Sequence, residues 1–374
     1  MCSSMENINL QASSSDRLGG FALSAFVCTS MALKAAINLK VFEIISNSGA
    51  TGASLSAAEI TAQIPTNNPN AAAALERILR ILAANSLLTV SYKDEEEAAA
   101  YYGLSSWVAS LVPHGAGAGD GASCVEHYLL NSHETIMAGL HRLEDAVMEE
   151  GAVPFERAHG MKLFELMEKE STGFRKVFHD AMNNVSAMVM ARVFEIYDVF
   201  EKVKEIVDVG GGSGTCVAMI VSKYPHIRAI NFDLPYVIAN APRHPGVTHV
   251  AGDMFQSVPK ASDTIFMKCI LHSWNDDKCV KLLRKCWEAL PAEGGKVVVV
   301  EYVVPSTVRN DMASLNSTTH DILMMGVFLE GKERTLKEFR RLSQASGFAE
   351  MKNFPVAHGI QLLEFHKRRC STTA

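Results

Sequence analysis

Asp208, Asp233, Asp253, Lys268, His272 and Glu301 recur in or just beyond strand-like runs in the second half of the chain. Between the first such run and the helical pattern after it lies Gly210-Gly211-Gly212-Ser213-Gly214. Glycines let bare backbone close tightly on a ligand. The N–H groups at the helix start that follows are donors to that ligand. In an open parallel sheet, ligands gather at the carboxyl ends of the strands. Those ends carry, in order, the glycine turn, Asp233-Leu234-Pro235, Gly252-Asp253-Met254-Phe255, Lys268-Cys269-Ile270-Leu271-His272, and Glu301. Polar residues at every strand end of an otherwise apolar sheet predict a single site.

The turn discriminates between cofactors. A dinucleotide fingerprint is G-x-G-x-x-G, whereas this chain reads G-x-G-x-G, with Thr215 at the next position. Asp208 stands inside the preceding strand. An acid aimed at the ligand suits a cationic amino-acid group better than a pyrophosphate, which favours S-adenosyl-L-methionine over NAD. An acid about 20 residues beyond the turn, here Asp233, is placed for ribose hydroxyls. Each position also has a plainer reading. Asp233 is a common turn residue, Asp253 a common helix cap, and a lone His272 is often a partnered structural histidine. Glu301 reads equally as an edge acid in solvent. Glu333, in Glu330-Gly331-Lys332-Glu333-Arg334-Thr335, reads equally as part of a solvated charged loop.

A chain of 374 residues, 48% hydrophobic and 20% charged, predicts a globular protein of two domains. A net charge of −6 speaks against nucleic acid or an anionic membrane as partner. The scattered cysteines and the acidic, non-basic N-terminus (Glu6, Asp16) predict a reduced, cytoplasmic chain. The uncharged run Phe21–Leu33 is too short to span a bilayer. Residues 1–17 are polar and read as loose.

The pattern predicts a helix over Leu18–Ser48, a capped helix Ala57–Gln63 and a helix Ala71–Asn85 behind Asn70. Strands Leu87–Tyr92 and Tyr101–Leu104 follow, a winged-helix order. The tip between them, Asp94–Glu97, is acidic and would repel DNA phosphate, so dimerisation through the apolar N-terminal face is the better reading. His114–Gly121 reads as a connector. Helices then run to Phe200, followed by strand–helix alternation (Ile206–Val209, Ala229–Asp233, Thr248–Val250, Thr264–Met267, Lys296–Glu301) and a terminal hairpin that adds an antiparallel edge.

Together, Val207–Gly214, Asn231–Pro235, Gly252–Phe255, Leu271–Asp276 and Gly331–Thr335 resemble the motifs of the plant caffeic acid O-methyltransferase family, in its order and over nearly the whole chain. The resemblance implies an α/β fold. A Rossmann-like S-adenosylmethionine methyltransferase domain (122–374, with a helical acceptor-binding part 122–204 and a core 205–374) would follow a helical, winged-helix-like dimerisation domain (18–114). It implies cofactor contacts from Gly210, Asp233, Leu234, Asp253, Met254 and Lys268. It makes His272 the general base, with Glu301 and Glu333 as flanking acids. Leu130, Asn131, Phe178, Met182, Val185, Met324 and Phe328 would face a small phenolic substrate, in a homodimer that needs no metal. Phe328 and Val185 stand where caffeate-type members have asparagine and histidine. That makes the pocket more apolar and opens the acceptor to other phenylpropanoids, flavonoids, styrylpyrones or alkaloid phenols.

Overall fold

A computed structural model of the chain describes residues 20–49, 54–92, 99–109, 111–112, 123–169, 173–261 and 263–367. The N-terminal segment 1–17, the acidic tip Asp94–Glu97 and the connector His114–Gly121 lie outside the described residues. The chain divides after Pro113 into two compact units. Among the described residues no single helix is long and apolar enough to cross a membrane.

The first unit contains the expected helices with one correction. The run read as one helix over Leu18–Ser48 is a short turn of 3-10 helix, then helices Ala25–Asn38 and Val41–Asn47. The break falls at Lys40, whose φ of 60° a non-glycine residue adopts only at a cost. The redirected chain buries Val41, Phe42 and Ile45 beside Ala36 and Ile37. Ser56 and Glu59 form the capping box of the helix Ala57–Thr61. Asn70 precedes the helix Ala71–Ala84 but makes no side-chain cap. Strand β1 (Ser54–Leu55), too short to read in the sequence, joins β2 (Leu88–Tyr92) and β3 (Ala100–Leu104) in a three-stranded antiparallel sheet of order β1-β3-β2.

The second unit is built on a seven-stranded sheet. Strands β4 (Glu205–Val209), β5 (Arg228–Asp233), β6 (Val247–Ala251), β7 (Thr264–Lys268) and β8 (Lys296–Tyr302) run parallel. The hairpin β9 (Glu350–Ala357) and β10 (Ile360–His366) closes one edge antiparallel, in the order β6-β5-β4-β7-β8-β10-β9. The strand period of two divides the core. Val207, Val209, Ile265, Met267, Val297 and Val299 pack on one face with the helix Asp276–Ala289. Ile206, Phe266, Val298 and Val300 pack on the other, with the helices Gly173–Ile196 and Thr215–Lys223. All of β8 is buried. The helix Met312–Val327 has no counterpart in the sequence reading. Its first half, through Asn316-Ser317-Thr318-Thr319, is built of residues that favour turns and caps over helix interiors. It is started by Asp311, whose carboxylate accepts from the Ser314 N–H at 2.8 Å.

Candidate functional site

The carboxyl ends of β4, β5 and β7 open on a cavity of about 930 Å³. Gly210, Asp233, Leu234, Asp253, Met254 and Lys268 all stand on its wall, as do Phe178 and Met182. Gly210, Gly212 and Gly214 hold φ of 72°, 58° and 82°, the left-handed region that glycine enters freely. Beneath the turn, a Cβ on Gly211 would lie 2.1 Å from Asn231 Oδ1 and 2.7 Å from the Asp208 carboxyl. Asp233 accepts from the N–H groups of Gly212 (2.8 Å) and Leu234 (2.7 Å), tying the second strand end to the first. Asp253 accepts from the Phe255 N–H at 2.8 Å, so it caps its own turn while facing the cavity.

Asp208 is buried, and its Oδ2 has no hydrogen-bond partner in the protein. Burial pushes its carboxyl up to about 7, with the charge of Asp233 adding and that of Lys268 opposing. A cationic group on the cavity side would relieve this orphaned oxygen. The sequence reading missed Asn183. Its Oδ1 accepts from the hydroxyls of Ser213 (2.7 Å) and Thr215 (3.0 Å), fixing the far side of the turn.

His272 sits in a short 3-10 turn, Leu271–Ser273, beyond β7. The cavity wall includes its neighbours Cys269, Ile270, Ser273 and Trp274 but not its ring. Its Nδ1 lies 2.8 Å from Glu333 Oε1 and 3.7 Å from Glu301 Oε2. Glu301 spends its other oxygen on the N–H groups of Ile270 (2.9 Å) and Leu271 (2.7 Å). Neither acid is solvated: Glu301 is 0% and Glu333 4% exposed. Burial opposes the imidazolium, but Glu333 and Glu301 outweigh it and hold the ring above its ordinary value. Burial raises Glu333 as well, against the pull of His272.

The run 330–335, for which a solvated charged loop is the plainer alternative, is a clamp on His272. Lys332 N–H donates to the His272 carbonyl at 2.9 Å. Arg334, fully buried, donates to the carbonyls of Leu271 (2.8 Å) and Trp274 (2.7 Å) and to Asp276 Oδ1. Asp321 accepts from the Glu333 N–H at 2.9 Å. A charged residue inside a charged run gives no sign that it is buried, so the burial of Arg334 was not legible in the sequence.

Of the residues expected to face an acceptor, Leu130, Phe178, Met182, Met324 and Phe328 share one apolar cluster. Asn131 Nδ2 lies 3.0 Å from His127 Nε2. Val185 is not brought to them; it packs in the core against the sheet. Cys269, His272 and Glu301 place potential metal-ligating atoms within 4.8 Å of one another. Burial pushes the Cys269 thiol up to about 12, and a cysteine must be a thiolate to coordinate, which makes this a poor donor set.

A family model of the O-methyltransferase domain matches residues 140–349, and one of the O-methyltransferase dimerisation domain matches residues 21–111. The chain belongs to the O-methyltransferase family. This O-methyltransferase is 46% identical over 353 residues to (S)-scoulerine 9-O-methyltransferase of Coptis japonica, covering 94% of this chain and 90% of that protein. It is 42% identical over 352 residues to caffeic acid 3-O-methyltransferase of Catharanthus roseus, covering 94% of each. The fold matches human N-acetylserotonin methyltransferase with a TM-score of 0.76 at 22% identity, covering 96% of this chain and 99% of that one. The enzyme is an S-adenosylmethionine-dependent O-methyltransferase. Its residues fit that donor: the orphaned Asp208 oxygen on the cavity wall calls for a cationic group, and a Cβ on Gly212 would meet nothing within 4 Å, so that side of the turn is open.

Proposed function

We propose that this enzyme methylates a phenolic hydroxyl of a small plant secondary metabolite, with His272 as general base. The observation that carries the reading is the buried His272–Glu333 pair, 2.8 Å apart, with His272 on the turn whose neighbours Ile270, Ser273 and Trp274 line the cavity. A phenol ionises near pH 10, as tyrosine does, so little phenolate exists at neutrality. Bound S-adenosylmethionine supplies a methyl group already activated on a sulfonium, so the protein's work is alignment and proton removal. His272 takes the hydroxyl proton at Nε2. Glu333, a positioning residue, holds the Nδ1 proton and fixes the tautomer. Glu301 anchors the backbone on which the ring turns. Gly210, Asp233, Leu234, Asp253, Met254 and Lys268 hold the donor.

Phenylpropanoids of the caffeic acid type are the leading acceptors. A wider range is favoured by the apolar contact of Phe164 with Phe328, whose rings lie 5.6 Å apart and tilted by 33°, and by the relative named for (S)-scoulerine. Labelled methyl transfer to a panel of phenols tests the reading. Product is expected on a ring hydroxyl, with the rate unchanged by a chelator. Loss of activity on chelation with rescue by magnesium would contradict the metal-independent chemistry.

We read 18–114 as a dimerisation domain and 122–374 as the methyltransferase domain of a cytoplasmic homodimer. Leu23, Phe26 and Val27 are 69%, 75% and 69% exposed on the first helices, more apolar surface than a monomer keeps without a partner. Sedimentation is expected to give a dimer. Replacing Phe26 and Val27 together with glutamate is expected to give a monomer, and an unchanged mass would contradict this face.

A further inference from the structure

Beyond His272 lies a stack of rings that the chemistry above does not use. Tyr302 stacks on His320 at 3.7 Å and 18°, and His320 stacks on His127 at 5.3 Å and 14°. Tyr302 directly follows Glu301 in β8. His320 lies four residues before Met324 on the helix Met312–Val327, and His127 four before Asn131 on the helix Val125–Asn131, so each shares a helix face with an expected acceptor contact.

Both histidines are incompletely paired. Among the described residues, Nδ1 of His127 and Nδ1 of His320 are buried without a hydrogen-bond partner, while Nε2 of His127 lies 3.0 Å from Asn131 Nδ2. Burial pushes His320 down to about 2, with His127, His272 and Lys268 adding to the effect. Burial pushes His127 down to about 4, with Lys268 adding. Both rings are therefore neutral at working pH, each with one N–H and one lone pair. Apolar residues would fill this position without leaving orphaned nitrogens, which a native protein rarely keeps unexplained.

We propose that the Tyr302–His320–His127 stack is a specificity element that recognises a second hydroxyl on the acceptor, rejecting analogues in which it is missing or already methylated. A hydroxyl both donates and accepts, so it satisfies a neutral imidazole in either tautomer. A carboxylate would find no charge in the stack to offset its burial. The inference rests on the phenolic reading of the site.

The test compares kcat/KM for a catechol and the matching monophenol in the wild type and in His320→Phe, which keeps the stacked ring and removes its nitrogens. The wild type is expected to prefer the catechol. The variant is expected to lower that preference by roughly tenfold or more, the scale of one lost buried hydrogen bond. Intrinsic differences between the two acceptors cancel when the ratios are compared. Should His320→Phe fail to fold, as read from its melting and its affinity for S-adenosylmethionine, His127→Phe serves for the same comparison. An unchanged ratio in a folded variant overturns the specificity role alone. Failure of the wild type to methylate any phenol overturns the phenolic reading and this inference with it.

Discussion

Replacing His272 with alanine is expected to lower kcat by about two to four orders of magnitude, the usual contribution of a positioned general base. Affinity for S-adenosylmethionine, read by calorimetry, is expected to stay close to wild type, because the His272 ring stands outside the cavity wall that holds the donor. The loss should be large because the ring is prepared for one task. Glu333 Oε1 fixes Nδ1 at 2.8 Å, Lys332 holds the backbone carbonyl of the same residue, and Arg334 pins the carbonyls on either side of it. Near-wild-type turnover in His272→Ala would remove the base from the account.

Gly211→Ala is expected to weaken S-adenosylmethionine binding and to lower the methyl-transfer rate by about a hundredfold, the scale of an ångström-sized displacement in a preorganised site. The new Cβ would meet Asn231 Oδ1 at 2.1 Å and the Asp208 carboxyl at 2.7 Å. Neither can yield cheaply. Asn231 is fully buried and donates to the Gly212 carbonyl at 3.0 Å, and Asp208 is buried within β4. Relief must come from moving the turn itself. Gly212→Ala is a contrasting control: a Cβ there meets nothing within 4 Å, so only the cost of its φ of 58° applies. Calorimetric titration of both variants checks the order. Equal affinities would mean that the cradle does not depend on close packing under Gly211.

Much of this site was legible because strand ends are legible. Once β5, β6 and β7 are placed by their strand-like runs, Asp233, Asp253 and Lys268 follow by position, and all reach the cavity. The pairing of His272 with Glu333 spans 61 residues and rested on resemblance; nothing local in the sequence brings them together. The clamp around His272 was hidden for a related reason. Arg334 looks like a surface residue beside Lys332 and Glu333, and only the fold shows it buried against the carbonyls of Leu271 and Trp274. The stack of Tyr302, His320 and His127 was hidden because His320 lies on a helix whose polar first half masks its periodicity. Val185 went the other way: aligned with a pocket position by resemblance, it packs with the core because its face of the long helix Gly173–Ile196 meets the sheet.

The central claim is that His272 removes the acceptor proton, and the pH dependence of single-turnover methyl transfer tests it most directly. Only the neutral ring has a lone pair to accept that proton, and Glu333 and Glu301 hold the ring above its ordinary value of 6.5 despite its burial. The rate is therefore expected to fall as pH drops through a point above 6.5, and that ionisation is expected to vanish from the profile of His272→Ala. The same ionisation in both proteins would contradict the account.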